Sequence, residues 1–181
     1  MRARWPALLL VAALVAHAAI DKYPDKLAEM LWACHVMTLL MAVGVATRRG
    51  PLVAAGLIFH VAVGLPSYLI DVVATGFTAP TSVLVHVLPV AVGGLWVRRA
   101  DLCWWAGPLS WAVFAALLPV SYLCTPRELN VNLAHAPWPP LADRVASPAA
   151  VWGSNLVMSV VTIALAAWLL VRVIPERTVH V

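Results

Sequence analysis

Of the 181 residues, 63% are hydrophobic and only 11% are charged, with a mean hydropathy of +0.91, whereas an ordinary soluble domain carries about a quarter charged residues. That composition excludes a water-soluble globular domain, and the formal net charge of +4 sits at the ends of apolar runs rather than in a patch suited to nucleic acid. Cys34, Cys103 and Cys124 are odd in number, scattered and free of a Cys-x-x-Cys pair, so they point neither to a disulfide framework nor to a zinc ribbon.

Six apolar stretches approach the roughly twenty residues that a bilayer core demands: Trp5–Ile20, Leu27–Thr47, Leu52–Val73, Thr81–Val97, Leu102–Tyr122 and Ala149–Ile174. The first, with Met1–Arg4 before it and "AHAA" at its end, reads as a short transmembrane helix; the same pattern also fits a secretory leader with an Ala-x-Ala cleavage site. "DKYPDK", "RRG", "TGFTAP" and "RRAD" are connections short enough to force antiparallel neighbours. Pro66, Pro89, Pro108 and Pro119 fall within spans, where they free carbonyls that neighbours must satisfy. The long connection 124–148 contains "PWPP" and is too polar to span. Trp104, Trp105, Trp138 and Trp152 suit the interfacial belt.

With the N-terminus inside, Arg2, Arg4, Arg48, Arg49, Arg98, Arg99, Arg172 and Arg177 are cytoplasmic, and Lys22, Lys26, Arg127 and Arg144 lie outside. This bias favours both termini inside, which agrees with an even number of spans. The expected architecture is therefore an all-α polytopic membrane helix bundle of six transmembrane helices, a multi-pass protein of the cell membrane in one domain. Its expected partners are membrane lipids, with no nucleic acid, and its oligomeric state is left open.

Polar residues break the apolar runs in a pattern. In "IFHVAVGLPSYLID", His60, Gly64, Ser67 and Asp71 recur at helical spacing and form one stripe on the third span. At about 1.5 Å per residue, His35 and Thr38 lie roughly 12–17 Å below the outer end of the second span. His86, with Ser82 one turn before it, falls at a similar depth on the fourth, and Ser154 and Asn155 lie near the outer end of the sixth. Intramembrane polar groups usually face a bundle interior or a water-filled cavity. The expectation is a polar cavity in the outer half, bounded by His60, Ser67 and Ser82 and roofed by Asn130, Asn132 and His135 of the long loop.

Three chemistries fit those residue types. A hydroxyl or thiol beside an imidazole is a nucleophile in waiting: Thr38 or Cys34 as nucleophile, His86 as base, and Asp71 or His35 in support would act on a lipid ester from the outer leaflet. His35, His60 and His86 could instead ligate zinc or haem. A non-catalytic subunit, small permease or lipid-binding protein is the third. The preferred expectation is acyl chemistry with no metal and no cofactor.

"CHVMTLL", "FHVAVGLP", "VHVLPVAVGG" and "SYLCTPRELNVNLAHAPWP" in that order resemble the YwaF-like integral membrane proteins over about residues 32–168. That family is distantly similar to a transmembrane acyltransferase of ether phospholipids and, more loosely, to androgen-induced hydrolases of fatty acid esters. The resemblance implies an intramembrane Cys or Thr nucleophile on an early helix and a His on a later one, and it lays the base position on His86. Where the family has His-x-Cys, this chain has His35-Val36-Met37, flanked by Cys34 and Thr38; "NVN" stands where relatives carry an Asn-Tyr pair.

Overall fold

The computed structural model describes residues 3–76, 79–137 and 147–174. Every regular element among them is helical. In chain order these are α1 (Pro6–His17), α2 (Ala33–Thr47), α3 (Gly50–Phe59), α4 (Leu65–Thr75), α5 (Pro80–Trp96), α6 (Ala106–Cys124) and α7 (Pro148–Val173), with α3 and α4 joined through a π-helical turn, His60–Gly64. Three rods are long and apolar enough to cross a membrane: Gly50–Thr75, Ala106–Cys124 and Ala149–Val173. The 26 residues of the first rise roughly 39 Å, more than a bilayer core requires.

Proline starts five of the seven helices α1–α7. Pro6, Pro51, Pro66, Pro80 and Pro148 occupy the first or second helical position, where the missing N–H costs no hydrogen bond. Pro66 has a second effect: its ring cannot sit against the carbonyl four residues earlier in a regular α-helix, and the chain widens into the π-turn just before it.

The core is centred on α3, which is buried almost all round: Val53, Ala54, Ala55, Leu57, Ile58 and Phe59 are each 1% exposed or less. Such a helix has no solvent or lipid face and must sit inside the bundle. α1 and α3 pack on α2, α5 lies against α1 and α3, and α6 and α7 close the other side of α3. The approach of α2 to α3 is set by Gly56, where a Cβ would lie 2.1 Å from Met41 Cγ. A small residue at a helix crossing substitutes dispersion between backbones for the hydrophobic force that lipid does not supply. α7 contrasts with this, exposing Val157, Met158, Val161, Leu165 and Val173.

Two expected elements differ. The second span, expected unbroken over Leu27–Thr47, is α-helical only from Ala33, with a 3₁₀ turn at Leu27–Leu31 and extended backbone at Trp32 (ψ 135°). The cause is a cap from far along the chain: Asn132 Oδ1 accepts the Ala33 N–H at 2.8 Å and its amide nitrogen donates to Leu31 O at 2.9 Å. The polar stripe is the other difference. His60 and Gly64 are buried, but Ser67 and Asp71 are exposed and α4 has no buried residue. One residue added by the π-turn rotates everything after it by about 100° relative to an unbroken α-helix.

Candidate functional site

Polar side chains from four elements meet at the end of the bundle where α1 finishes and α2 and α5 begin. His17, at the last position of α1, is 2% exposed. Its Nδ1 lies 3.0 Å from Asp21 Oδ2, one turn on, and 3.0 Å from Thr81 Oγ1 at the start of α5. Because a carboxylate only accepts, this pairing puts the ring proton on Nδ1. The His17 ring packs 5.0 Å from the His35 ring, and His35 lies 6.4 Å from His86. His86 is stacked on Tyr68, with centroids 4.4 Å apart and planes 10° from parallel. Lys22 and Glu29, both largely buried, form an ion pair beside the group.

Each of these imidazoles is oriented through the same atom. His35 Nδ1 donates to Glu29 O at 3.1 Å and His86 Nδ1 donates to Ser82 O at 2.8 Å. The irregular backbone at Leu27–Leu31 supplies the Glu29 carbonyl. His35 Nε2 is buried and has no hydrogen-bond partner.

One turn deeper lies a second pair. Thr38 and His60 are both fully buried, and Thr38 Oγ1 is 3.0 Å from His60 Nε2 and 2.8 Å from Cys34 O. The other ring nitrogen, His60 Nδ1, is buried without a partner. It faces Gly64, where a Cβ would stand 2.9 Å from it. The glycine therefore makes room for the imidazole inside its own helix. π-turns recur at functional sites because they re-aim a side chain in this way.

Of the residues expected in the site, His35, His86 and Ser82 are gathered with one another, whereas Thr38 is partnered by His60 and not by His86. Cys34 contributes its carbonyl to Thr38 and is half-buried. Asp71 and Ser67 lie on the exposed side of α4, and the carboxylate that touches a histidine is Asp21. Asn132 serves as the cap of α2 and also donates to Ser121 Oγ at 2.8 Å, which occupies both of its N–H donors. Asn130 fastens its own loop, accepting from the N–H groups of His135 and Ala136 and donating to Ala136 O. His135 packs against Tyr122 at 5.0 Å, and Trp152 donates to Ala134 O at 2.8 Å. Asn155 is half-buried on α7, its Nδ2 without a partner. Trp138, Arg2, Arg144 and Arg177 lie outside the described residues.

The sequence reading omitted His17, Asp21, Thr81 and Tyr68. A signal for the first two was present, since His17 and Asp21 are an i, i+4 pair at the end of an apolar run. Among the described residues no three His, Cys, Asp or Glu side chains are placed to hold a metal ion as they stand, and His60 is turned toward Thr38 rather than toward His35 and His86.

An apolar groove of about 310 Å³ runs between α1 and α2, lined by Val11, Leu14, Val15, Met30, Val36 and Leu39 and touching His35. No protein-family model, no curated protein and no solved structure matches the chain. The likeness to the YwaF-like proteins therefore rests on the motifs quoted above.

Proposed function

We propose that the chain is a six-span protein of the cell membrane, both termini cytoplasmic, that carries out acyl transfer or hydrolysis on a lipid-like ester in its outer half, with Thr38 as nucleophile and His60 as base. The observation that carries this reading is the Thr38–His60 contact of 3.0 Å between two fully buried side chains. A hydroxyl within hydrogen-bond reach of an imidazole is the minimal unit of covalent acyl chemistry. The Thr38 oxygen attacks the ester carbonyl while its proton passes to His60 Nε2; the leaving alcohol then takes that proton, and water or a second alcohol releases the acyl group by the reverse steps. His60 replaces His86 in the base role because His86 sits in the other group, stacked on Tyr68. The substrate's chain would lie in the groove between α1 and α2, which ends at His35, one turn from Thr38 on the same helix.

A second reading has its own observation. Thr38 is also bonded to the carbonyl of Cys34 at 2.8 Å, the ordinary resting place of a threonine in a membrane helix, which suits a lipid-binding subunit with no chemistry. Reaction of the purified protein with a fluorophosphonate or a p-nitrophenyl ester separates the two. The catalytic reading expects an adduct on Thr38 that Thr38→Val and His60→Gln abolish; an adduct that survives in both variants, or no adduct on a folded wild-type protein, leaves the binding subunit as the function.

A further inference from the structure

The three imidazoles of the His17, His35 and His86 group share a feature that names the polar end of the ligand. Each spends its Nδ1–H on an acceptor that cannot donate in return: the Asp21 carboxylate, the Glu29 carbonyl and the Ser82 carbonyl. The nitrogen left over, Nε2, is then a lone pair on all three rings. His35 Nε2 is buried and unpartnered while its residue is only 4% exposed, and an unmet polar atom at that depth is expensive to keep. The apolar groove of about 310 Å³ between α1 and α2 reaches the same histidine.

We infer that this group is a headgroup site for a single-chain amphiphile that offers hydrogen-bond donors, a hydroxylated or amine headgroup rather than a carboxylate, sulfate or phosphate, whose chain lies in the α1–α2 groove. Acceptor-only rings repel an acceptor-only headgroup and reward an O–H or N–H. The groove accommodates one chain, since its lining is aliphatic and its volume is at the low end for small-molecule sites. The inference rests on the proposed function only in calling the ligand a substrate; binding at the histidines stands without any chemistry at Thr38. A transition-metal cation also seeks lone pairs, but the present spacing of these side chains does not converge on one.

The test uses the full chain in phosphatidylcholine nanodiscs and three probes with one tail: dodecyl glucoside, dodecylamine and dodecanoate. Binding is read by thermal shift and by titration of intrinsic fluorescence. The glucoside and the amine bind at least about tenfold more tightly than dodecanoate, because a site built to receive donors penalises a ligand that lacks them. Val15→Trp, at an exposed position of the groove, weakens all three probes alike. His35→Leu removes the headgroup preference and leaves tail binding. His86→Phe keeps a ring on Tyr68 and lowers the preference in part, so a folding defect in one variant does not hide the result. Equal binding of dodecanoate, a preference that survives both histidine variants, or stoichiometric zinc lost on mutating His17, His35 and His86 would each overturn the inference. Probe selectivity without any ester turnover would sink the catalytic reading while sparing the headgroup site.

Discussion

Toward the Arg48 end of the bundle, α2, α3 and α5 run as regular helices and touch through small residues: a Cβ on Gly44 would meet Val53, one on Gly56 would meet Met41, and one on Gly93 would meet Leu57. At the opposite end, the backbone of α1, α2 and α3 is interrupted. α2 gives way to a 3₁₀ turn, α1 ends in a π-turn at Ala18–Lys22, and α3 widens at His60–Gly64. All the histidines among the buried residues lie in that irregular half: His17, His35 and His60. Irregular backbone at membrane depth is tolerated only where protein groups re-satisfy it, and here the polar side chains that re-satisfy the backbone are those that form the site. One half is held by fit and the other by hydrogen bonds. They therefore break differently.

The largest effect falls on the deep polar pair. If Thr38 and His60 act on esters, Thr38→Val keeps the side-chain shape and removes the nucleophile, so turnover falls to background. His60→Gln lowers it by about 10²–10⁴-fold, the range for loss of a positioned base. Ester hydrolysis by the purified variants measures this directly, and unchanged turnover in Thr38→Val removes the pair from the mechanism.

The next effect is on stability in the irregular half. Asn132 spans the Ala33 N–H, the Leu31 carbonyl and Ser121 Oγ, so Asn132→Ala leaves several buried polar groups unpaired and costs about 2–4 kcal/mol. Asn132→Asp retains the acceptor for Ala33 but sets a buried carboxylate oxygen against the Leu31 carbonyl that the amide donated to, and costs more. Melting in detergent should rank the variants in that order, with loss of amide-exchange protection confined first to the start of α2. A uniform loss over the whole bundle contradicts the division into halves.

In the regular half the opposite kind of change is harmful. Gly56→Ala adds one methyl where Met41 Cγ stands at 2.1 Å and the Met37 carbonyl at 3.0 Å, and overpacking of this kind costs about 1–3 kcal/mol. Gly94→Ala, with nothing within 4 Å, is neutral or slightly stabilising, since alanine favours helix. If both substitutions melt alike, close approach is not what holds α2 to α3.

The apolar lengths of the spans and the depth of their histidines made the helical architecture and the location of His35, His60, Thr38 and His86 legible in the sequence. Pairing was not legible. The expectation joined Thr38 to His86 by depth and by the resemblance to the YwaF-like proteins, and depth says nothing of rotation about the helix axis, which the π-turn changes by one residue's worth at His60. Asn132 was read as a roof residue because it lies in a polar loop; its use as a cap depends on a contact 99 positions away in the chain, which no local pattern announces. His17 lies inside "AHAA", a small-residue pattern that also fits the end of a leader, so its polarity alone carries no distinct local signal.

The smallest effect is the most discriminating for that rotation. Drawn on an unbroken helix, Ser67 and Asp71 share a face with His60 and Gly64 and belong in the site; with the extra residue at the π-turn they turn outward, and both are exposed. Ser67→Ala and Asp71→Asn should then change stability by less than about 0.5 kcal/mol, as exposed substitutions usually do, and should leave ester turnover and probe selectivity at wild-type values. A carboxylate that oriented His86 would instead cost at least an order of magnitude in rate on becoming an amide. Deleting Ala62 together with Pro66→Ala removes both the inserted residue and the ring that forces the turn, which restores a regular helix and swings Ser67 and Asp71 back toward the histidines. In that background Asp71→Asn should alter the behaviour of His86 far more than it does in the wild type, because the same carboxylate then stands on the face that the histidines occupy.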